Sequence, residues 1–264
     1  MPIFRLLAAS VASLLASLAH ADCTLVADAA TQRIVREEGA CDTRITPAST
    51  FKIALSLMGY DAGFLKSEHA PVLPYRQGDP DWRASWVADT DPQKWISDSV
   101  VWYSQRVTAA LGAARFQRYV HAFHLGNEDV SGDAKRHDGL KWAWIDSSLR
   151  VSPREELGFL ERVVRRELPV KPVAYEMTSR ITSIPGEHGG WEIHGKTGAG
   201  FPLLADGHPD RAHGYGWFVG WATKGGRTFV FVRQTQDRSV QDSPAGLRAR
   251  DALLPGLPAS LDAL

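Results

Sequence analysis

A helix that is apolar around most of its circumference must be buried on nearly every side, and residues 46–60, TPASTFKIALSLMGY, describe such a helix. Thr46 can cap its N-terminus and Pro47 suits the first helical position, so Ser49 is expected in the first turn. From Phe51 on, Ile53, Ala54, Leu55, Leu57 and Met58 fill most faces. Only Ser49, Lys52 and Ser56 interrupt them, at i, i+3 and i+7, so they share one polar stripe. An ammonium without a partner would be costly there, and burial lowers a lysine pKa. A neutral amine beside a serine is a base beside a nucleophile. The bland alternative is a snorkelling surface lysine, because Ser-x-x-Lys arises by chance about 0.6 times in a chain of this composition.

The whole chain frames that stripe. Its 264 residues, 44% hydrophobic with balanced charge, describe a globular protein of one large or two interlocked domains and carry no basic excess for nucleic acid. Residues 1–21 combine Arg5, an apolar run and the ending Ala19-His20-Ala21, the pattern of a secretory signal peptide cleaved before Asp22. A transmembrane anchor is the rival, but the run is short, rich in Ala and Ser, and has no stop-transfer pattern after it. No stable membrane insertion is expected. In an exported chain, Cys23 and Cys41 are expected to form one disulfide near the mature N-terminus, with two buried thiols as the alternative. The nine histidines show no HExxH-like spacing, and no metal site is expected.

Residues 23–39 are expected as two short strands around a turn at Asp28–Thr31, and 71–92 as loop. Two helical segments broken near Gly112 follow, then an irregular stretch from Ser131 to Pro153. The next helix opens on Ser152-Pro153 with a capping-box pair, Ser152 and Glu155. After Pro172 the texture turns to three antiparallel strands, two joined by a Lys224-Gly225-Gly226 turn, and a last helix at 245–257. The expected fold is α+β: an antiparallel β-sheet flanked by helices, with an inserted helical lobe roughly at 60–172 and a single catalytic domain over 22–264. A cleft between sheet and lobe is the default site.

Three clusters give the stripe a context. Lys196-Thr197-Gly198 has a chance expectation of about 0.03, and on a strand it offers a cation, a hydroxyl and an edge open to close approach. It would suit an extended acyl substrate with a carboxylate; a hairpin with a surface lysine is the alternative. SDSVVW, 97–102, reads either as a polar Ser97-Asp98-Ser99 or as Ser99-Val100-Val101, a Ser-x-Val. WAWIDSSL, 142–149, could lend the indole N–H of Trp144 as a buried donor, or could simply be core.

Ser49-Thr50-Phe51-Lys52, Ser99-Val100-Val101, Gly126-Asn127, Trp144, Lys196-Thr197-Gly198 and Tyr215-Gly216-Trp217, in that order, resemble the class D β-lactamases, the oxacillinases. The resemblance runs from about Cys41 to Arg248. It implies a β-lactamase/transpeptidase-like fold, an exported, periplasmic enzyme of a Gram-negative bacterium that hydrolyses β-lactams, and a monomer or homodimer. It also favours the Ser99-x-Val101 reading. By the same resemblance Ser49 is the nucleophile and Lys52 carries a carbamate formed with CO2, kept feasible by Phe51, Val101 and Ile145 and held by Trp144. Ser99 is a proton relay, and the backbone N–H groups of Ser49 and Ala199 form an oxyanion hole. Lys196, Thr197, Gly198 and Arg248 bind substrate, Arg248 being preferred to Arg250 for the carboxylate. Leu125 stands before Gly126-Asn127 where the family often has an aromatic, so the three are read as structural.

Two rivals from other classes remain: a penicillin sensor, which would need membrane helices before the domain, and a D,D-peptidase, whose Ser-x-Asn is replaced by Val101. Substrate choice is expected to lie around Trp102 and the 201–213 connection.

Overall fold

The computed structural model describes residues 22–264, so the expected signal peptide lies outside the described residues. The N-terminal hairpin is β1 (Cys23–Asp28) and β2 (Arg33–Gly39), with the Asp28 carboxylate accepting from the Ala30 and Thr31 amides to form its turn. Cys23 and Cys41 are disulfide-bonded across the base of this hairpin. Seven helices follow: α1 (Lys52–Asp61), α2 (Pro92–Ser97), α3 (Val101–Leu111), α4 (Ala113–Ala122), α5 (Gly139–Trp142), α6 (Pro153–Val164) and α7 (Pro172–Thr182). The chain then returns through β3 (Glu192–Gly200), β4 (Tyr215–Lys224) and β5 (Arg227–Gln236), and ends in α8 (Ala245–Leu253) and α9 (Leu257–Asp262).

The five strands form one antiparallel sheet in the order β2-β1-β5-β4-β3, so the first strand pairs with the last. Alternation along the strands splits two cores. Phe229, Phe231, Phe218 and Val26 face α8 and α9, while Val230, Val232, Val219 and Leu25 face the other way, into the larger core with α1 and α6. Helix α1 is buried along its whole length from Lys52 to Tyr60, as its continuous apolar surface requires.

Several expectations need correction. Thr46 does not cap the helix: Pro47 holds that place, and a 3-10 turn, Ala48–Phe51, precedes α1. The Thr46 hydroxyl instead donates to the Ile145 carbonyl at 3.0 Å. Helix α7 has no counterpart in the sequence reading. Its buried stripe, Ala174, Tyr175, Thr178, Ile181 and Thr182, has helical spacing but includes two threonines. Those hydroxyls are satisfied inside the fold, Thr178 by Ser56 at 2.8 Å and Thr182 by the Thr178 carbonyl at 2.7 Å. The helical segment therefore spans Lys52–Thr182, wider than 60–172, and its α6 returns to pack on β1, β4 and β5. The last helix is two, because Pro255 and Gly256 separate α8 from α9. The capping box at Ser152 and Glu155 forms as expected.

Candidate active site

Ser49 lies in the 3-10 turn, partly accessible, and Lys52 opens α1 one turn on with no exposed surface. Lys52 Nζ is 2.9 Å from Ser49 Oγ. Burial, then the positive charges of Lys196 and Arg83, hold the Lys52 ammonium well below the usual lysine range. Phe51 and Val101 are buried beside it in the same core, and Ile145 is partly buried against it.

The indole of Trp144 is fully buried, stacked on Phe51 with ring centroids 5.5 Å apart and crossed edge-on by Phe116. Its Nε1 is buried with no acceptor among the described residues. A buried N–H without a partner is costly, and an anionic oxygen on Lys52 is the kind of group that would satisfy it. The donor set therefore fits a carbamate.

The loop that carries Trp144 is tied down at both ends. Asn127 donates to the Ser148 carbonyl at 2.8 Å and accepts from the Arg150 amide at 2.9 Å. Gly126 has φ +53°, and a Cβ there would fall 2.0 Å from the Arg150 carbonyl oxygen. Near Ser49, the Ala48 amide donates to the Trp144 carbonyl at 2.8 Å and the Trp217 indole to the Thr46 carbonyl at 3.1 Å. Tyr215 hydrogen-bonds the Thr46 hydroxyl, and burial raises its phenol to about 12. Gly126 and Asn127 thus brace the loop that carries Trp144.

Lys196, Thr197 and Gly198 lie on β3, which is an edge strand. A Cβ on Gly198 would meet the Pro47 carbonyl at 2.8 Å and Thr50 N at 3.1 Å, so glycine is what lets β3 rest against the Ser49 turn. From the other side, a Cβ on Gly246 of α8 would come within 2.3 Å of the Gly198 carbonyl. The Ile193 carbonyl accepts from Ile184 N at 2.8 Å, on the side of β3 away from β4. In an unbroken antiparallel register every second residue turns its amide the same way, so the N–H of Ala199 faces the outer edge, toward the Ser49 turn. Lys196 is buried and held at about 7, by burial first and Arg83 second, and its Nζ donates to the Thr197 carbonyl at 3.0 Å.

Ser99 occupies the turn between α2 and α3 with φ +62°, a conformation that costs a non-glycine residue energy and is held by its surroundings. The Trp86 indole donates to the Asp98 carbonyl at 2.8 Å, and Val100 N bonds the Trp95 carbonyl at 3.1 Å. Arg248, expected as a carboxylate ligand, is paired with both Asp237 oxygens at 2.6 and 2.5 Å and also donates to the Ser243 carbonyl, because the strand end and the start of α8 bring those acceptors to it. Trp102 is fully buried, its indole donating to the Trp86 carbonyl at 3.0 Å, so it supports the 80s loop from below and lines no cleft. Arg83, whose charge reaches both buried lysines, went unnoticed in the sequence; its flanking tryptophans, Trp82 and Trp86, were the available signal. No cluster of His, Cys, Asp or Glu suited to a metal occurs among the described residues.

Comparison with known proteins matches residues 21–255 to the penicillin binding protein transpeptidase domain. The chain is 42% identical over 239 residues to β-lactamase OXA-9 of Klebsiella pneumoniae, covering 89% of this chain and 86% of the relative. It is 36% identical over 213 residues to β-lactamase OXA-1 of Escherichia coli, covering 80% and 74%. Among solved structures, the class D β-lactamase OXA-427 superposes with a TM-score of 0.86 at 46% identity, covering 92% of this chain and 99% of that one. The matched span contains the Ser49 turn, the Ser99 turn, the Trp144 loop and strand β3, and the chain belongs to the penicillin-recognising transpeptidase family and, within it, to the class D β-lactamases.

Proposed function

We propose that this β-lactamase works through an acyl-enzyme on Ser49, with Lys52 N-carboxylated by CO2. The observation that carries the reading is the buried pair itself: Lys52 Nζ sits 2.9 Å from Ser49 Oγ, with its ammonium form disfavoured by burial. A neutral amine is the form that reacts with CO2. The orphan N–H of Trp144 supports the assignment, since that indole stacks on Phe51, the residue directly before Lys52. Carboxylated, Lys52 supplies an anionic oxygen that serves as general base toward Ser49 during acylation and toward water during deacylation.

Ser49 Oγ attacks the lactam carbonyl, and the C–N bond of the ring breaks to leave an ester on Ser49. The N–H of Ala199, facing the Ser49 turn from β3, and the N–H of Ser49 receive the developing oxyanion. Ser99 relays a proton to the departing ring nitrogen. Thr197 and Lys196 bind the substrate carboxylate from the same strand, and Gly198 keeps that strand against the nucleophile. The disulfide near the start of the described residues supports export to an oxidising compartment, the periplasm.

The test is to mix the protein with excess chromogenic β-lactam in bicarbonate buffer, count product per enzyme, and map the transient adduct by mass. Many turnovers with an adduct on Ser49 are expected. One stoichiometric burst, or an adduct elsewhere, would remove the assignment.

A further inference from the structure

The mechanism draws on two loops that share no strand or helix: the turn of Ser99, between α2 and α3, and the loop of Trp144 that follows α5. The proton relay sits on one and the indole N–H offered to Lys52 on the other. Both must keep their places for one reaction, since a misplacement of ~1 Å costs on the order of 100-fold in rate. Ser99 in particular holds φ +62°, which persists only under constraint from its neighbours.

A chain of tryptophan rings runs between those loops. Trp142 ends α5, two residues before Trp144, and its ring centroid lies 5.9 Å from that of Trp82 at an interplanar angle of 26°. Trp82 in turn lies 5.5 Å from Trp86 at 40°. The Trp86 N–H donates at 2.8 Å to the carbonyl of Asp98, the residue directly before Ser99. The inner end of the chain is fixed, because the Trp86 ring is buried and the Trp86 carbonyl accepts from the Trp102 indole at 3.0 Å. The outer end is fixed by α3, whose Gln105 donates to the Lys141 carbonyl at 3.3 Å. Trp82 is the middle member and is 60% exposed. A ring so open to water adds little to the packing of the core. Both of its distances nevertheless fall within the roughly 4.5–7 Å over which aromatic rings attract one another, so what it contributes is position.

We propose that Trp82 is a positioning residue, a solvent-exposed strut that sets the separation of the Ser99 turn and the Trp144 loop by stacking on Trp142 and abutting Trp86. This rests on the Ser49 hydrolase reading and extends it to a residue outside the reacting groups. Removing the ring frees both loops at once. The reaction then loses the alignment of relay and carbamate with the nucleophile, while the sheet and the core stay packed.

The experiment compares the parent protein with Trp82→Ala, Trp82→Phe, Trp142→Ala and the variant carrying both alanines. It measures hydrogen exchange, melting temperature, and kcat and KM for one chromogenic cephalosporin over a series of bicarbonate concentrations. Trp82→Ala is expected to raise exchange at 97–100 and at 142–149 together, with the melting temperature close to that of the parent. It should lower kcat by roughly 10- to 100-fold and raise the bicarbonate needed for half-maximal rate, with KM changing less than about 2-fold. Trp82→Phe should recover most of kcat, because a phenyl ring still stacks in the gap. In the double variant the two losses should fall short of multiplying, as for residues that act through one contact. Exchange that rises at neither loop, or at one alone, overturns the proposal, and so do losses that multiply in full. A change confined to KM overturns it as well, making Trp82 a substrate contact. Absence of turnover in the parent would instead remove the Ser49 reading, and the exchange data would still decide the strut.

Discussion

The Trp144 indole lies flat against Phe51, 5.5 Å between centroids at 25°, and Phe51 is the residue directly before Lys52. One stack thus fixes the loop that follows Asn127 to the turn that presents the nucleophile. The stack uses the ring face, so the indole N–H is left for another task.

Replacing Trp144 with Phe keeps an aromatic on Phe51 and removes the unpartnered donor. Thermal stability should fall only modestly, by the cost of a smaller ring in a fully buried site, since the stack on Phe51 is kept. Deacylation should slow by about 100-fold or more, on the scale of lost general-base catalysis. Burst kinetics alongside carbon-13 NMR of the labelled carbamate would check this, and unimpaired turnover would deny Trp144 its role.

Activity should fall on the acid side and return with bicarbonate. Lys52 has its ammonium form disfavoured by burial and by the charges of Lys196 and Arg83, so its protonated fraction grows only as pH falls through that lowered value. The protonated amine cannot hold CO2. Rates taken after a brief acid exposure, with and without bicarbonate, decide the matter; indifference to bicarbonate counts against a carboxylated lysine.

Gly198→Ala should leave the sheet folded and disable the site. The added methyl group meets the Pro47 carbonyl at 2.8 Å and Thr50 N at 3.1 Å, so β3 must back away from Ser49. A displacement approaching 1 Å at reacting groups costs on the order of 100-fold in rate. Comparing kcat/KM with the melting temperature separates this from unfolding.

Glu156 on α6 is buried, and burial raises its carboxyl to about 8 from 4.5. Between those values the unfolded chain has released the proton and the folded chain retains it, so stability falls as pH rises through the window. The slope from this one group is at most about 1.4 kcal/mol per pH unit. Glu156→Gln should flatten the difference, gaining on the parent as pH goes from about 5 to 8. Denaturant midpoints at both pH values would show it; parallel pH profiles would contradict the assignment.

Asn127→Ala should loosen the loop of Trp144 before it unfolds the protein. Its amide holds the Ser148 carbonyl and the Arg150 amide, and losing these two exposed hydrogen bonds costs about 0.5–1.5 kcal/mol each. Hydrogen exchange at 129–151 should rise above that of the sheet. Uniform exchange across the chain would argue against a local clamp.

The strands and most helices were legible because their signals are local: the aromatic and β-branched runs of β4 and β5, the Lys224-Gly225-Gly226 turn, the Ser152 capping box. The Ser49–Lys52 pair was legible for the same reason, being one helical turn apart. Helix α7 was not, since Thr178 and Thr182 read as polar until Ser56 and the helix's own carbonyl satisfy them. The pairing of Arg248 with Asp237 was not legible, because nothing in its neighbourhood of sequence reveals that Asp237 would reach it. Arg83 was missed because an exposed arginine in a loop of Pro, Asp and Gly gains meaning only from the Trp86 ring beneath it.

The sheet order has a kinetic consequence. Strand β1 pairs with β5, Cys23 opposite Gln234, so the nucleophile's scaffold closes only when more than two hundred residues have been made. Such distant pairing is entropically expensive to nucleate and slow. A growing chain therefore passes through a long interval in which Ser49 exists without Lys196, and hydrolytic activity can serve as a clock for completion of the entire sheet.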